Sequence, residues 1–114
     1  MRDETIYKRD EKGKAVSKKL KTISKRIRFK NRSININRTI TIGRDELNDI
    51  VIKDDPLVSR KHAFIEKKGE DYYILDKDST NGSYLNNNPI PKGKRLKITS
   101  GDIIIVGKTR LEML

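Results

Sequence analysis

The sequence has no cysteine and no tryptophan, and it holds a single histidine. Without cysteine there is no disulfide framework, no thiolate zinc site and no thiol nucleophile. That composition fits a reducing compartment, so a cytoplasmic location is expected. His62, alone, cannot complete a catalytic triad without a neighbouring nucleophile, nor a typical zinc site without partner ligands. No nucleophile–base pair or cluster of metal ligands accompanies it, so neither an enzyme nor a cofactor- or metal-dependent protein is expected. Four tyrosines and two phenylalanines give little means of stacking bases, which argues against an obligate nucleic-acid binder. The longest uninterrupted apolar run is Ile103-Ile104-Ile105-Val106. A membrane-spanning helix needs about 20 such residues, so no transmembrane segment is expected. The N-terminus has charge but no apolar core of a secretion signal.

Charge is abundant and mostly of one sign. The 114 residues carry a formal charge of +11, and they suffice for one domain with its own core. Residues 1–32 hold 13 Lys/Arg against 4 Asp/Glu, whereas residues 33–114 hold 14 against 12. With residues 33–114 nearly balanced, the basicity reads as the property of a leading arm; the arm is placed at residues 1–25 and the domain at residues 26–114. A solvated, flexible or partly ordered arm is the plain reading. Contact with acidic phospholipid, a phosphorylated partner or RNA is the alternative.

From about Arg26 onward the pattern is that of strands. Thirteen of the 16 isoleucines lie after residue 32, and β-branched side chains favour pleated, half-buried positions. Ile34, Ile36, Ile40 and Ile42 recur at even positions with polar residues between them, the alternation of a strand with one buried face. Further runs cover residues 49–52, 62–67, 72–76, 83–85, 95–98, 102–106 and 109–113. Asp54-Asp55-Pro56, Lys68-Gly69-Glu70, Asn81-Gly82, Asn87-Asn88-Pro89, Pro91-Lys92-Gly93, Ser100-Gly101-Asp102 and Gly107-Lys108 read as the turns between them. Many short strands with turns every eight to twelve residues predict an all-β sandwich or barrel.

Three polar clusters fall in the loops. Arg44, after Gly43, offers the planar, permanently charged fork that matches phosphate oxygens; taken alone it reads as a surface arginine after a turn glycine. Ser59 precedes a strand and can donate to an oxyanion, or can bond its own turn; Arg60 and Lys61 beside it could add charge. His62 reads as a brace, its imidazole bonding loop backbone. Asn81-Gly82 is the strongest two-residue hairpin signal in the chain. Asp78, Ser79 and Thr80 ahead of it could hydrogen-bond the main chain of an incoming peptide. Asn86 ends the next run and reads as a brace for the same loop.

The order and spacing of these clusters carry more than each alone. Gly43-Arg44, fourteen intervening residues, Ser59-x-x-His62, then Asp76-x-x-Ser79-Thr80-Asn81-Gly82-x-x-Leu85-Asn86, then Gly101-Asp102, resembles the forkhead-associated (FHA) family over about residues 26–114. The resemblance implies a β-sandwich of about eleven mostly antiparallel strands, of the SMAD/FHA type, that binds phosphothreonine peptides through loops at one end. It implies phosphate contacts from Arg44 and Ser59, with help from Thr80 and Arg60, and a bond from Asn81 to the peptide backbone. Gly43, His62, Ser79, Gly82 and Asn86 match positions that hold the loops in shape. The implied partner is a phosphothreonine-containing protein or peptide, downstream of a Ser/Thr protein kinase. Leu57 and Val58 are apolar where some members have a charged residue, so an aliphatic or aromatic residue is expected three places after the phosphothreonine.

Thr5, in Asp3-Glu4-Thr5-Ile6, is a candidate regulatory phosphosite whose modification would let the arm fold back into the domain's own pocket. The alternatives to a phosphate reader are a phosphorylation-independent docking or scaffold domain, for instance of a secretion assembly, and nucleic-acid contact through the basic arm.

Overall fold

A computed structural model describes residues 24–114 of the chain; Thr5 and the arm as far as residue 23 lie outside the described residues. Among those residues there are eleven strands and no helix, so none long and apolar enough to cross a membrane. In chain order the strands are β1 (Arg26–Phe29), β2 (Arg32–Asn35), β3 (Ile40–Gly43), β4 (Ile50–Val51), β5 (Ala63–Lys68), β6 (Asp71–Asp76), β7 (Ser83–Leu85), β8 (Asn88–Pro89), β9 (Leu96–Ile98), β10 (Ile103–Val106) and β11 (Thr109–Met113). They form a five-stranded sheet, β9-β6-β5-β3-β4, and a six-stranded sheet, β2-β1-β11-β10-β7-β8. Every pair is antiparallel except β3 with β4. The expected β-sandwich is thus the fold observed.

The two sheets enclose one aliphatic core. Eleven of its eighteen buried apolar residues are isoleucine, the branched shape that interdigitates between facing pleats. Register sets the layers. Ile40, Ile65, Ile74 and Leu96 lie side by side across one sheet, and Phe29, Leu111, Ile104 and Leu85 across the other. In β6 the inward positions are Tyr72, Ile74 and then Asp76, so strict alternation carries a carboxylate into the core at the strand's end.

Three expectations need correction. The even-numbered isoleucines do not form one strand: Ile34 belongs to β2 in one sheet, Ile40 and Ile42 to β3 in the other. Ile36, fully buried between them, preserves the spacing across the crossover. Asn81-Gly82 is not a two-residue hairpin either, because the strands it links, β6 and β7, lie in different sheets. A two-residue hairpin follows instead at Asn86-Asn87, both at positive φ (50° and 72°), and Asn88–Pro89 is the short edge strand β8 rather than a turn. Third, the basicity is not confined to the arm. Arg26 and Arg28 occupy the outward positions of β1, Lys30 follows it and Arg32 starts β2. Residues 24–114 therefore hold 19 Lys/Arg against 12 Asp/Glu, a surplus of seven on the folded part.

Buried or bonded carboxylates tie loops to sheets. Asp49 accepts from both terminal nitrogens of Arg38 (2.8 and 3.3 Å) and from the Thr41 amide (2.9 Å). The Arg38 bonds are the main reason its carboxyl is lowered to about 2. Asp55 accepts from the Leu57 and Lys108 amides and the Thr109 hydroxyl, pinning the 54–59 loop to the β10–β11 hairpin. Burial pulls this carboxyl toward the neutral form, but its three donors prevail and hold it below the usual range.

Two predictions follow from this framework. An alanine Cβ at Gly107 (φ +61°) would meet Asp55 Oδ2 at 2.8 Å and Val58 Cγ2 at 2.9 Å, whereas at Gly69 (φ +62°) it would meet nothing within 4 Å. Gly69→Ala is expected to lose about 1 kcal/mol from backbone strain alone, and Gly107→Ala at least about 2 kcal/mol, by urea denaturation. Equal losses would show that the Asp55 contact is not a constraint. The carboxyls of Asp49, Asp55 and Asp76 all titrate lower in the folded chain than unfolded, where the value is about 3.9. Their contribution is therefore full above about pH 4 and fades as pH falls toward 2. Urea midpoints should hold steady from pH 7 to 5 and fall between pH 4 and 2; a midpoint unchanged to pH 2 would contradict this.

Candidate functional site

The residues singled out from the sequence come mainly from three loops at one end of the sandwich: the segment after β3, the 54–62 segment before β5, and the 77–82 crossover between the sheets. The first two run against each other, with the Arg44 amide donating to the Ser59 carbonyl (3.0 Å) and the Asp45 amide to the Arg60 carbonyl (3.2 Å). That close approach is why residue 43 is glycine. A Cβ there would collide with the Arg60 carbonyl oxygen and would lie 2.8 Å from the Asn48 side-chain nitrogen. The requirement is thus for space rather than for an unusual turn. Asn48, which the sequence reading did not single out, donates to the carbonyls of Asp45 and Arg60 (both 2.8 Å) and closes this corner.

Arg44 is exposed, yet its Nε donates to the Val58 carbonyl at 2.8 Å. The bond fixes the side chain across the second loop and leaves the two terminal nitrogens without a protein partner among the described residues. Ser59 Oγ accepts the Thr80 amide at 3.1 Å, joining the second loop to the third, while its hydroxyl hydrogen stays available to donate. Asn81 Nδ2 donates to the Leu57 carbonyl at 2.9 Å, a second tie between the same loops, and keeps its side-chain oxygen as an acceptor. Arg44, Ser59, Thr80 and Asn81 are therefore brought together. Arg60 is exposed beside them, and its side chain has no hydrogen-bonding partner among the described residues.

His62 lies beneath, fully buried. Its Nδ1 takes the Ser59 amide (3.0 Å), and its Nε2 faces the Gly82 carbonyl (2.8 Å). An amide can only donate and a carbonyl only accept, so the ring is neutral with its hydrogen on Nε2. Its own amide donates to the Ile42 carbonyl (2.9 Å), and the Lys77 amide donates to its carbonyl (2.8 Å). One residue thereby ties β3, the 54–62 segment and the crossover together. Asp76 completes the support. Its Oδ1 accepts the hydroxyls of Ser79 and Ser83 (both 2.6 Å) and its Oδ2 the Ser79 amide (3.0 Å). Burial favours the protonated acid here, but those donors outweigh it and hold the carboxyl below its ordinary value. Ser79 passes the bond on, accepting the Gly82 amide at 2.9 Å. Gly82 itself adopts φ +83°, which a side chain would strain.

Some placements differ from the expectation. Of the two readings given for Ser79, its burial fits the loop-holding one and not contact with an incoming peptide. Asn86 braces a different loop: its side chain donates to Asp102 Oδ1 (3.0 Å) and accepts the Ile103 amide (2.9 Å), at the far end of β7. Val58 is buried and only Leu57 is exposed, so the expected apolar pair presents one side chain. Asp55 and Asp76 were missed as structural anchors. For Asp76 a signal existed, an acid at the inward phase of an alternating strand. For Asp55 none did, since an Asp-Asp-Pro turn is ordinarily solvated.

Comparison with known proteins agrees with this architecture. Residues 40–107 match the profile of the FHA domain. The oxoglutarate dehydrogenase inhibitor of Corynebacterium jeikeium is 40% identical over 76 residues, 67% of this chain and 50% of that protein. A solved FHA domain from work on phosphothreonine-dependent FHA interactions aligns with a TM-score of 0.70 at 26% identity, over 79% of this chain and 94% of the other. EmbR of Mycobacterium tuberculosis, in complex with a low-affinity phosphopeptide, aligns with a TM-score of 0.71 at 28% identity, over 79% of this chain and 24% of EmbR. The chain spans half or less of the length of the first curated relatives it matches. With a matching profile over more than half its length and the same sandwich, the chain belongs to the FHA domain family.

Proposed function

We propose that this chain is a binding module that recognises phosphothreonine in partner proteins, with no catalytic step of its own. In this reading the terminal nitrogens of Arg44 and the Ser59 hydroxyl hold the phosphate, with Thr80 and Arg60 assisting. The remaining valences of Asn81 hold the peptide backbone. A Ser/Thr protein kinase acts upstream to create the mark. The encounter takes place in the cytoplasm, where such a kinase and its substrates meet. Leu57, exposed on the middle loop, is the side chain suited to an apolar residue further along the peptide.

The observation that supports this most is the continuity of the Arg44, Ser59 and Thr80 contacts. The Arg44 amide bonds the Ser59 carbonyl at 3.0 Å, and Ser59 Oγ takes the Thr80 amide at 3.1 Å. A fork-shaped cation and two hydroxyl residues are thus held by bonds that do not consume the groups needed for an oxyanion. Little ordering remains to be done when the ligand arrives. Charge-assisted bonds of this kind contribute roughly 1.5–3 kcal/mol each. Set against the cost of ordering a flexible peptide, two or three of them lead to an affinity of about 1 μM.

Titration calorimetry with a phosphothreonine peptide and its unmodified twin tests the reading. The native chain should bind only the phosphorylated form, and Arg44→Ala should weaken that binding by at least about thirtyfold, the worth of a charged hydrogen bond or more. Equal binding of both peptides, or little loss on removing Arg44, would identify a docking surface indifferent to phosphate.

A further inference from the structure

The surplus of seven positive charges on the described residues is not accounted for by the loop site. Much of it lies on the outer face of the six-stranded sheet. Arg28, Lys30 and Arg110 line one cavity of about 270 Å³ there, with Glu112 as the only acid in its wall. Lys30 and Arg110 also line a second hollow of about 380 Å³, whose other walls are Asp54, Asp55, Pro56, Lys108 and Thr109. Sharing two residues, the hollows form one trough. It ends at the 54–56 turn, the beginning of the loop that supplies Ser59 and the Leu57 carbonyl to the peptide-binding end. Pro56 and Ser59 are three residues apart, at most about 10 Å of extended chain.

The trough holds four cations, Arg28, Lys30, Lys108 and Arg110, against three acids. Its positive excess lies at the Arg28 end, where Glu112 alone faces three cations. Asp54 and Asp55 lie at the other end, with Asp55 already bonded to the Lys108 amide and the Thr109 hydroxyl. Arg28 and Glu112 approach only to 3.9 Å, with the arginine side chain 54% exposed. Lys30 meets Asp54 at 3.1 Å, but both are more than half exposed, where such pairs are weak. Arg110 is exposed and has no acid within ion-pair distance among the described residues. It precedes Leu111, which pairs with Phe29, while Lys30 follows Phe29. Like charges so placed across neighbouring strands cost stability unless an anion sits between them.

We infer that this trough is a second anion subsite, resting on the reading of the loops as a phosphothreonine site, and that its ligand is an acidic stretch of the same phosphorylated partner. The stretch carries either clustered Asp/Glu side chains or a second phosphorylated residue; both present the same oxyanions to Arg28, Lys30 and Arg110. Next to the cations the face turns apolar, since Ile105 pairs with Arg110 on one side and with the half-exposed Tyr84 on the other. A polypeptide with acidic and apolar residues fits that sequence of surfaces. A nucleic-acid strand would need cations along its whole path and more than one exposed aromatic ring.

The test uses the full chain and phosphothreonine peptides with a common core, extended on either side by neutral residues, by three glutamates, or by a phosphoserine. Acidic extension on one side should tighten binding roughly three- to tenfold, the worth of a few half-exposed ion pairs. Arg28→Gln with Arg110→Gln should abolish that gain while leaving the neutral peptide within about twofold, since neither residue belongs to the loop site. Comparing glutamate with phosphoserine identifies which source of charge is preferred. No gain with any extension, or a gain that survives the double substitution, overturns the inference while leaving the phosphothreonine reading intact. Failure of the neutral phosphopeptide to bind at all removes both. An oligo-dT strand that binds the native chain and is lost with the same two arginines, where acidic extensions do nothing, would assign the trough to nucleic acid instead.

Discussion

His62 is the contact on which the binding end depends. Its ring joins the Ser59 amide to the Gly82 carbonyl, and its backbone joins β3 to the start of the crossover loop. Full burial makes these bonds exacting, because a polar ring withdrawn from water must find partners for both nitrogens. The same bonds specify one tautomer, so the two loops are held at a set separation by groups that have no alternative pairing. Asp76 performs the parallel task a few ångströms away, gathering Ser79 and Ser83. Histidine and carboxylate together let three irregular loops behave as a rigid surface. A surface of that kind can bind an extended ligand without first being ordered.

The fold was legible because its signal is periodic. Alternation of isoleucine with polar residues and regularly spaced turns mark strands whatever the tertiary context, and β7 and β11 match their expected bounds. What periodicity cannot express is sheet membership. The same phase runs through Ile34, Ile36, Ile40 and Ile42 although the chain changes sheets between them, and Asn81-Gly82 has hairpin composition in a crossover. Turn type was equally hidden: Asn86-Asn87 forms a tight turn without a glycine, since asparagine tolerates positive φ.

The candidate site was legible in its residues and not in its wiring. Arg44, Ser59, Thr80 and Asn81 stand out by chemistry and spacing. The bonds that fix them run largely to backbone carbonyls and amides, such as Val58 and Leu57, which any sequence supplies. Asp55 is the clearest case of what was hidden, because its partners, the Lys108 amide and the Thr109 hydroxyl, lie more than fifty residues away. Charge was misplaced for a related reason. A count along the chain joins Arg26 and Arg28 to the basic arm before them, whereas outward alternation in β1 sets them on a folded face.

The decisive measurement is a titration of ¹⁵N-labelled chain with a phosphothreonine peptide, followed amide by amide in two-dimensional NMR. Perturbations are expected to concentrate at residues 44, 57–60 and 79–82, to be absent with the unmodified peptide, and to leave the edge at β8 and β9 untouched. Shifts of equal size with both peptides, or shifts centred away from those three loops, would contradict a phosphate held by Arg44, Ser59 and Thr80.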